Sequence, residues 1–317
     1  MKRGITIGVL ASLAFGSSGA FVKPVLEAGW SPAAAVAFRT LIAAIVLTPF
    51  AVAALHKNWK ALWAARGRIA AMALIGVAGT QLAYFLAIER MPVGSAILIE
   101  YLAPVLLVGF AWATTRRVPK IVVLLGSVAA VAGLVLVVGP ASLAAVDPSG
   151  VIFALLAAIG AATYYLIAAR PSEGLPPVAL AWSGLLGGAL ALSALGGIRV
   201  IPFDMAFTDV PLLGGVLPWW VPLGIVGIVA TAIAYAASIA ATGMLGSRIM
   251  SFVGLLEVVF ATLFAWVLLG ETLTLTQLLG GVLILAGIVL VQSEKDARAA
   301  APPTAAAMPA PVESSGG

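Results

Sequence analysis

Cysteine is absent from this 317-residue chain, which excludes disulfides, thiolate metal ligands and a cysteine nucleophile. Charge is scarce too. The 17 basic and 12 acidic residues make up 9% of the sequence, where soluble domains carry about 25%. So few charges cannot coat a water-soluble particle of 32.0 kDa. An ordinary cytosolic enzyme, a nucleic-acid binder and a disordered protein are therefore excluded. There is one histidine, His56, beside Lys57 at the end of an apolar run, where an interfacial place suits it better than a catalytic one. The chain has no H-E-x-x-H, no acidic metal cluster, no phosphate-cradling glycine loop and no lysine within an apolar run to make a Ser/Lys dyad. Neither metal nor cofactor is expected. An intramembrane enzyme is the reading from another class, and these missing constellations count against it.

What the chain has in abundance is apolar sequence, at 62% of residues and a mean hydropathy of +1.16. A membrane helix takes about 20 apolar residues, and ten such runs are found: 4–22, 32–54, 69–88, 93–114, 121–139, 150–169, 176–196, 221–242, 247–269 and 274–293. They are continuous and do not alternate polar with apolar, so they read as helices and not barrel strands. Backbone groups in hydrocarbon must bond within their own segment, which makes the same choice. The expectation is an all-α membrane protein with ten transmembrane helices. With the N-terminus inside, thirteen basic residues fall at inner ends and three, Lys23, Arg90 and Arg199, at outer ends. Arg39 lies within a span. The bias places both termini in the cytoplasm. Residues 1–20 also fit the outline of a signal peptide, but the repeat described next favours keeping them as the first span. Residues 295–317, rich in Ala and Pro without periodic apolar residues, read as a disordered cytoplasmic tail.

Internal repetition is visible. LAPVLLVGFAW (102–112) aligns with LEVVFATLFAW (256–266) at an offset of 154, which also carries Gly126 onto Gly280 and Gly133 onto Gly287. IGVAGTQLAY (75–84) aligns with VGIVATAIAY (226–235) at an offset of 151. Each copy holds five spans, residues 1–140 and 141–294. Five is odd, so the second copy crosses the membrane in the opposite sense to the first. Inverted repeats of this kind mark many secondary transporters, with the substrate near the midplane between the halves.

GSAILIEYLAP (94–104) and LLEVVFATLFAWVLLGETLT (255–274), set in two five-helix halves, resemble EamA-type members of the drug/metabolite transporter superfamily over residues 4–293. Leu269, Gly270 and Glu271 match the Leu-Gly-Glu that usually ends the ninth helix of that family. Its glutamate-proline pair appears here as Glu257-Val258, so the proline is present only in the first half, as Pro104. The LIEY segment is similar to a subgroup that includes threonine/homoserine exporters. The resemblance implies export of amino acids or related metabolites from a bacterial inner membrane. The runner-up is the branch that carries phosphorylated sugars or nucleotide sugars, which would want several buried cations.

The candidate substrate-binding residues are Arg39, Gln81, Tyr84, Glu100, Tyr235 and Glu257. Charge inside a span costs about 2.5–3.5 kcal/mol on insertion scales and calls for a partner or a wet cavity. Arg39 and Glu100 each lie seven residues from the outer start of a span, about 10 Å deep. They either pair with each other or flank a cavity, Arg39 holding a substrate carboxylate and Glu100 its ammonium. Glu257 lies near the midplane, where burial disfavours a charged carboxylate. It is read either as a site for a proton or the substrate amine, or as a protonated group bonded to a carbonyl. Thr80, Gln81 and Tyr84, and Thr231, Tyr235 and Ser238, form helical stripes in the two halves. They either bond between helices or line a shared cavity. Pro104 leaves the Glu100 carbonyl without its usual donor, so a kink is expected there. The glycine pairs are read as close-packing contacts. Expected partners are a small-molecule substrate, membrane lipids and protons.

Overall fold

The computed structural model describes residues 2–56, 58–88, 90, 93–116, 118–139, 147–171, 174–212, 214–269 and 274–300. The first apolar segment is α1 (Lys2–Gly16) and α2 (Ser18–Glu27), bent at the Gly16-Ser17-Ser18-Gly19 run, the kind of Gly/Ser sequence that kinks a helix. It extends five residues beyond the expected end, so Lys23 lies within a helix and not in a loop. After a turn at Gly29, α3 (Pro32–Leu55) begins on Ser31, whose hydroxyl accepts from the Ala34 amide at 3.4 Å with Pro32 in the first turn, an N-cap arrangement. Short α4 (Lys60–Ala64) and α5 (Arg66–Ala71) lead into a π-helical stretch, Met72–Gly79, continued by α6 (Thr80–Ile88).

The fourth apolar segment is broken into α7 (Val93–Glu100) and α8 (Ala103–Thr115), then α9 (Ile121–Val138) closes the first half. The second half runs α10 (Pro148–Ala169), α11 (Pro177–Gly197), α12 (Trp220–Gly227), a second π stretch at Ile228–Ile233, α13 (Ala234–Leu245), α14 (Ser247–Gly254), α15 (Leu256–Leu269) and α16 (Leu275–Ala300). Seven of these segments are long and apolar enough to cross a membrane, and three shorter apolar helices accompany them. The turn from α13 to α14 rests on Gly246 at φ 84°, a conformation that costs glycine little. Between α11 and α12 the chain departs from the all-helical expectation. A small antiparallel hairpin, β1 (Val210–Leu212) with β2 (Gly215–Leu217), forms there.

Size is inverted relative to a soluble core. Alanines such as Ala11, Ala34, Ala157 and Ala234 are fully buried, whereas Ile45, Phe50, Trp63, Val267 and Leu275 are 61–73% exposed. An apolar exterior of this extent suits lipid, and small interior residues let helices approach closely, as they do in membranes. The closest approach is between α9 and α16. A Cβ on Gly133 would stand 2.5 Å from the Gly280 carbonyl, and one on Gly287 would stand 2.6 Å from the Gly126 carbonyl. The earlier glycine of one helix meets the later glycine of the other, so these helices run antiparallel.

Most of the main packing pairs recur when the halves are exchanged, although α10 packs on α13 and α14 where α1 has no such contact with α6 or α7 among the described residues. The second segment packs on the seventh and the fifth on the tenth. The third-on-sixth contact has its counterpart in the first on the eighth, and the first-on-ninth in the sixth on the fourth. Much of the core is therefore built between halves.

The two π stretches overlap under the same 151-residue offset. In each, a threonine hydroxyl donates to the carbonyl five residues back: Thr80 to Ile75 at 2.7 Å and Thr231 to Val226 at 2.9 Å. These hydroxyls therefore serve their own helices, in place of the expected bonds between helices. The last helix continues to Ala300, past residue 295 where a tail was expected, since Glu, Lys, Arg and Ala favour helix. Residues 301–317, and Gly270 and Glu271 of the Leu-Gly-Glu match, lie outside the described residues.

Candidate functional site

Both broken segments break at corresponding places. After Glu100 the chain makes a turn at Tyr101 and Leu102 before α8 resumes, with Pro104 in its first turn. At the matching offset Leu255 interrupts the helix between Gly254 and Glu257. The first break has the proline that frees a carbonyl. The second does without one, and the Gly254 position lets Tyr165 approach: a Cβ on Gly254 would collide with the Tyr165 hydroxyl. Glu100 thus ends one half-helix and Glu257 sits in the first turn of another, where the helix dipole favours negative charge.

These breaks border a cavity of about 750 Å³. Its walls come from α2, the start of α3, α6, the end of α7 and the start of α15. It runs from Leu26 and Pro32 at the α2–α3 turn down to Glu257. Arg39, Gln81, Tyr84, Glu100 and Glu257 all line it. Five of the six candidate residues are thereby brought together. Tyr235 is the exception. It is 9% exposed and lies behind the wall, its ring edge-on to Phe15 at 5.1 Å and to Tyr164 at 5.7 Å. Phe15 lines the cavity, so this aromatic cluster closes the space beneath it. Ser238 is buried in the same region, close to the buried Tyr164 hydroxyl.

The expected alternative of an Arg39–Glu100 ion pair is not found among the described residues. The Arg39 guanidinium instead donates to Ser18 Oγ at 3.1 Å, and its Nε is buried without a partner. The two carboxylates and Arg39 are near enough to sense one another's charge. The Tyr101 hydroxyl faces Glu257.

Sequence reasoning missed Ser18, Lys23 and Tyr101, all of which line the cavity. The Gly-Ser-Ser-Gly kink signal could have placed Ser18 there. Lys23 was hidden by the assumption that a lysine marks the end of a span, although a long side chain can lie along one. Gly19 also opens on this space, and a Cβ there would meet nothing within 4 Å. Above the cavity mouth, the segment between α11 and the hairpin is tied to the α2–α3 turn. The Ser31 amide donates to the Asp204 carbonyl and the Asp204 amide to Ser31 Oγ, each at 2.9 Å. Trp30 Nε1 donates to the Ala206 carbonyl, and its ring packs on Phe38, Phe207 and Trp219.

The profile of the EamA-like transporter family matches residues 2–139 and again residues 148–293. An uncharacterized inner membrane transporter, YicL, of Salmonella typhimurium is 24% identical over 309 residues, 95% of this chain and 98% of the relative. An uncharacterized transporter of Archaeoglobus fulgidus is 28% identical over 217 residues, 68% of this chain and 73% of the relative. A solved crystal structure superposes with a TM-score of 0.71, covering 92% of this chain and 98% of its own at 18% identity, a likeness of fold alone.

Proposed function

We propose a transport cycle for this chain, which belongs to the EamA-like transporter family and is a membrane transporter: it exports small metabolites, amino acids or related compounds, across an inner membrane by alternating access. The observation that carries the reading is the cavity bordered by the two helix breaks and lined by Arg39, Glu100 and Glu257. Discontinuous helices with exposed ends and buried charges are the usual means by which a carrier holds a polar cargo at membrane depth. We read the ten apolar segments as ten passes in two inverted five-helix repeats, with both termini cytoplasmic. The antiparallel α9–α16 pair and the recurrence of the main packing pairs in the two halves support the inversion. In that orientation the cavity faces outward and the aromatic cluster around Tyr235 closes the inner side. Tyr235 aligns with Tyr84, so exchange of the two halves' tilts would bring Tyr235 to an inward cavity and bury Tyr84.

In this scheme Arg39 holds a carboxylate, the glutamates receive an ammonium, and Glu257 exchanges a proton or the cargo amine between states. The two carboxylates at the floor disfavour a phosphorylated sugar, even with Lys23 and Arg39 both lining the cavity. The test is counterflow in proteoliposomes with labelled threonine, homoserine, an aromatic amino acid and a sugar phosphate. Saturable exchange of at least one amino acid and none of the sugar phosphate is expected. Exchange of the sugar phosphate alone would overturn the substrate class.

A further inference from the structure

The floor of the cavity is unbalanced in charge. Glu100 and Glu257 both line it, while Arg39 is the cation at comparable depth and already spends a donor on Ser18 Oγ. Lys23, one turn from the outer end of α2, belongs to the mouth. Neither glutamate has an ion-pair partner within 4 Å among the described residues, and the hydroxyl facing Glu257 belongs to a tyrosine. Tyr84 also lines this floor, and both glutamates act on it electrostatically. A group that fits between two carboxylates and two tyrosine rings is a cation with N–H donors, which can bond the acids and lie against the ring faces. Enclosing two ionised carboxylates with one guanidinium would be costly in a low-dielectric interior, and a cargo ammonium removes that cost. A carboxylate on the cargo adds to it and has only Arg39 to answer it.

We propose that the ammonium group is the obligatory recognition element of this cavity and that the cargo carboxylate is dispensable. The substrate class therefore extends to simple organic amines with an apolar body, which Phe15, Phe85 and Ile97 would receive. This rests on the reading of the cavity as the cargo site and sharpens it.

The experiment uses three probes of matched shape on the purified full chain in detergent: phenethylamine, phenylalanine and 3-phenylpropionate. Binding is followed by calorimetry and by thermal stabilisation. Phenethylamine and phenylalanine are expected to bind with affinities within about tenfold of each other, and 3-phenylpropionate at least 100-fold more weakly, a difference of about 2.7 kcal/mol. Glu257→Gln and Glu100→Gln should each weaken phenethylamine tenfold or more, and Arg39→Gln should leave phenethylamine within threefold while weakening phenylalanine. Because the probe series is read on the unaltered protein, a variant that fails to fold does not decide the outcome. Equal binding of phenethylamine and 3-phenylpropionate overturns the proposal and leaves the cavity standing as a cargo site. Binding of the propionate and phenylalanine without the amine overturns it as well. Binding of none of the three removes the amino-acid reading itself and this proposal with it.

Discussion

Replacement of Gly133 by alanine tests the antiparallel seam of α9 and α16 at its tightest point. The added methyl would stand 2.5 Å from the Gly280 carbonyl oxygen and 2.7 Å from the Ile284 amide nitrogen, both backbone atoms of the facing helix. Neither can rotate away, so the helices must part by about 1 Å to restore ordinary contact. Overpacking of this kind costs about 1–3 kcal/mol, a factor of about 5–150 in the folded-to-unfolded ratio. The assay is reversible denaturation in detergent, with Gly109→Ala as the control, since a Cβ at Gly109 meets nothing within 4 Å. The double variant Gly133→Ala with Gly280→Ala should cost less than the sum of its parts, because once the pair has separated the second methyl, 2.6 Å from the Gly133 carbonyl in the native seam, is already accommodated. Coupling of Gly133→Ala with Gly287→Ala should be weaker, since those glycines belong to different crossings. Two results would refute the reasoning: Gly133→Ala as stable as Gly109→Ala, or stronger coupling to position 287 than to 280, which a parallel pair would give.

Three further outcomes follow from the described contacts. Trp30→Phe removes the donor to the Ala206 carbonyl at about 1 kcal/mol and should speed proteolytic cleavage within residues 198–209; an unchanged cleavage rate would detach that segment from the α2–α3 turn. Thr80→Val and Thr231→Val each remove a hydroxyl bonded to a carbonyl in or just before a π stretch, and faster amide exchange confined to residues 72–80 or 226–233 is expected; protection equal to wild type would show that the π stretches stand without them. Asp147, outside the apolar segments, caps α10 by accepting from Ser149 N–H at 2.7 Å, Ser149 O–H at 2.5 Å and Gly150 N–H at 3.2 Å, which hold its carboxyl below the ordinary 3.8. The lowered value means that the cap stabilises α10 fully above pH 3.8 and is lost as pH falls through the lowered pKa. Exchange at the first α10 amides should therefore accelerate in strong acid, whereas Asp147→Asn should show no such step.

The apolar segments could be read from hydropathy because a lipid-facing surface leaves a continuous trace that no soluble core matches. Glu100, Glu257 and Arg39 could be read because charge is so costly at that depth that its presence alone marks a wet or paired place. Other features left no such trace. A π stretch differs from an α-helix by one hydrogen-bond step, and the hydroxyl that fixes it at Thr80 looks like any membrane threonine. The segment that leads into the hairpin at Val210–Leu217 is held at Asp204 and Ala206 by Ser31 and Trp30, 173 and 176 residues away, so local sequence does not announce it. Sequence equivalence ranks Tyr235 and Tyr84 alike, whereas in this conformation Tyr84 lines the cavity and Tyr235 lies behind its wall.

That difference bears on how a duplicated protein can remain asymmetric where its chemistry lies. Tyr84 aligns with Tyr235, but Gln81 aligns with Ala232, Glu100 with Gly254 and Tyr101 with Leu255. The packing framework is kept in both halves, while the polar wall is kept in one. At the two breaks the same turn is made by different means, with Pro104 after the first and Gly254 before the second. Glycine there admits Tyr165, and a glutamate like Glu100 would not. The second half has its acid three residues later, at Glu257, so both carboxylates come to one side of the bundle instead of being divided between two. A symmetric pair would have offered one acid to each face. Collected together, the two acids line one cavity with Arg39, and the corresponding region of the other half holds Tyr164, Tyr235 and Ser238 but no acid among the described residues.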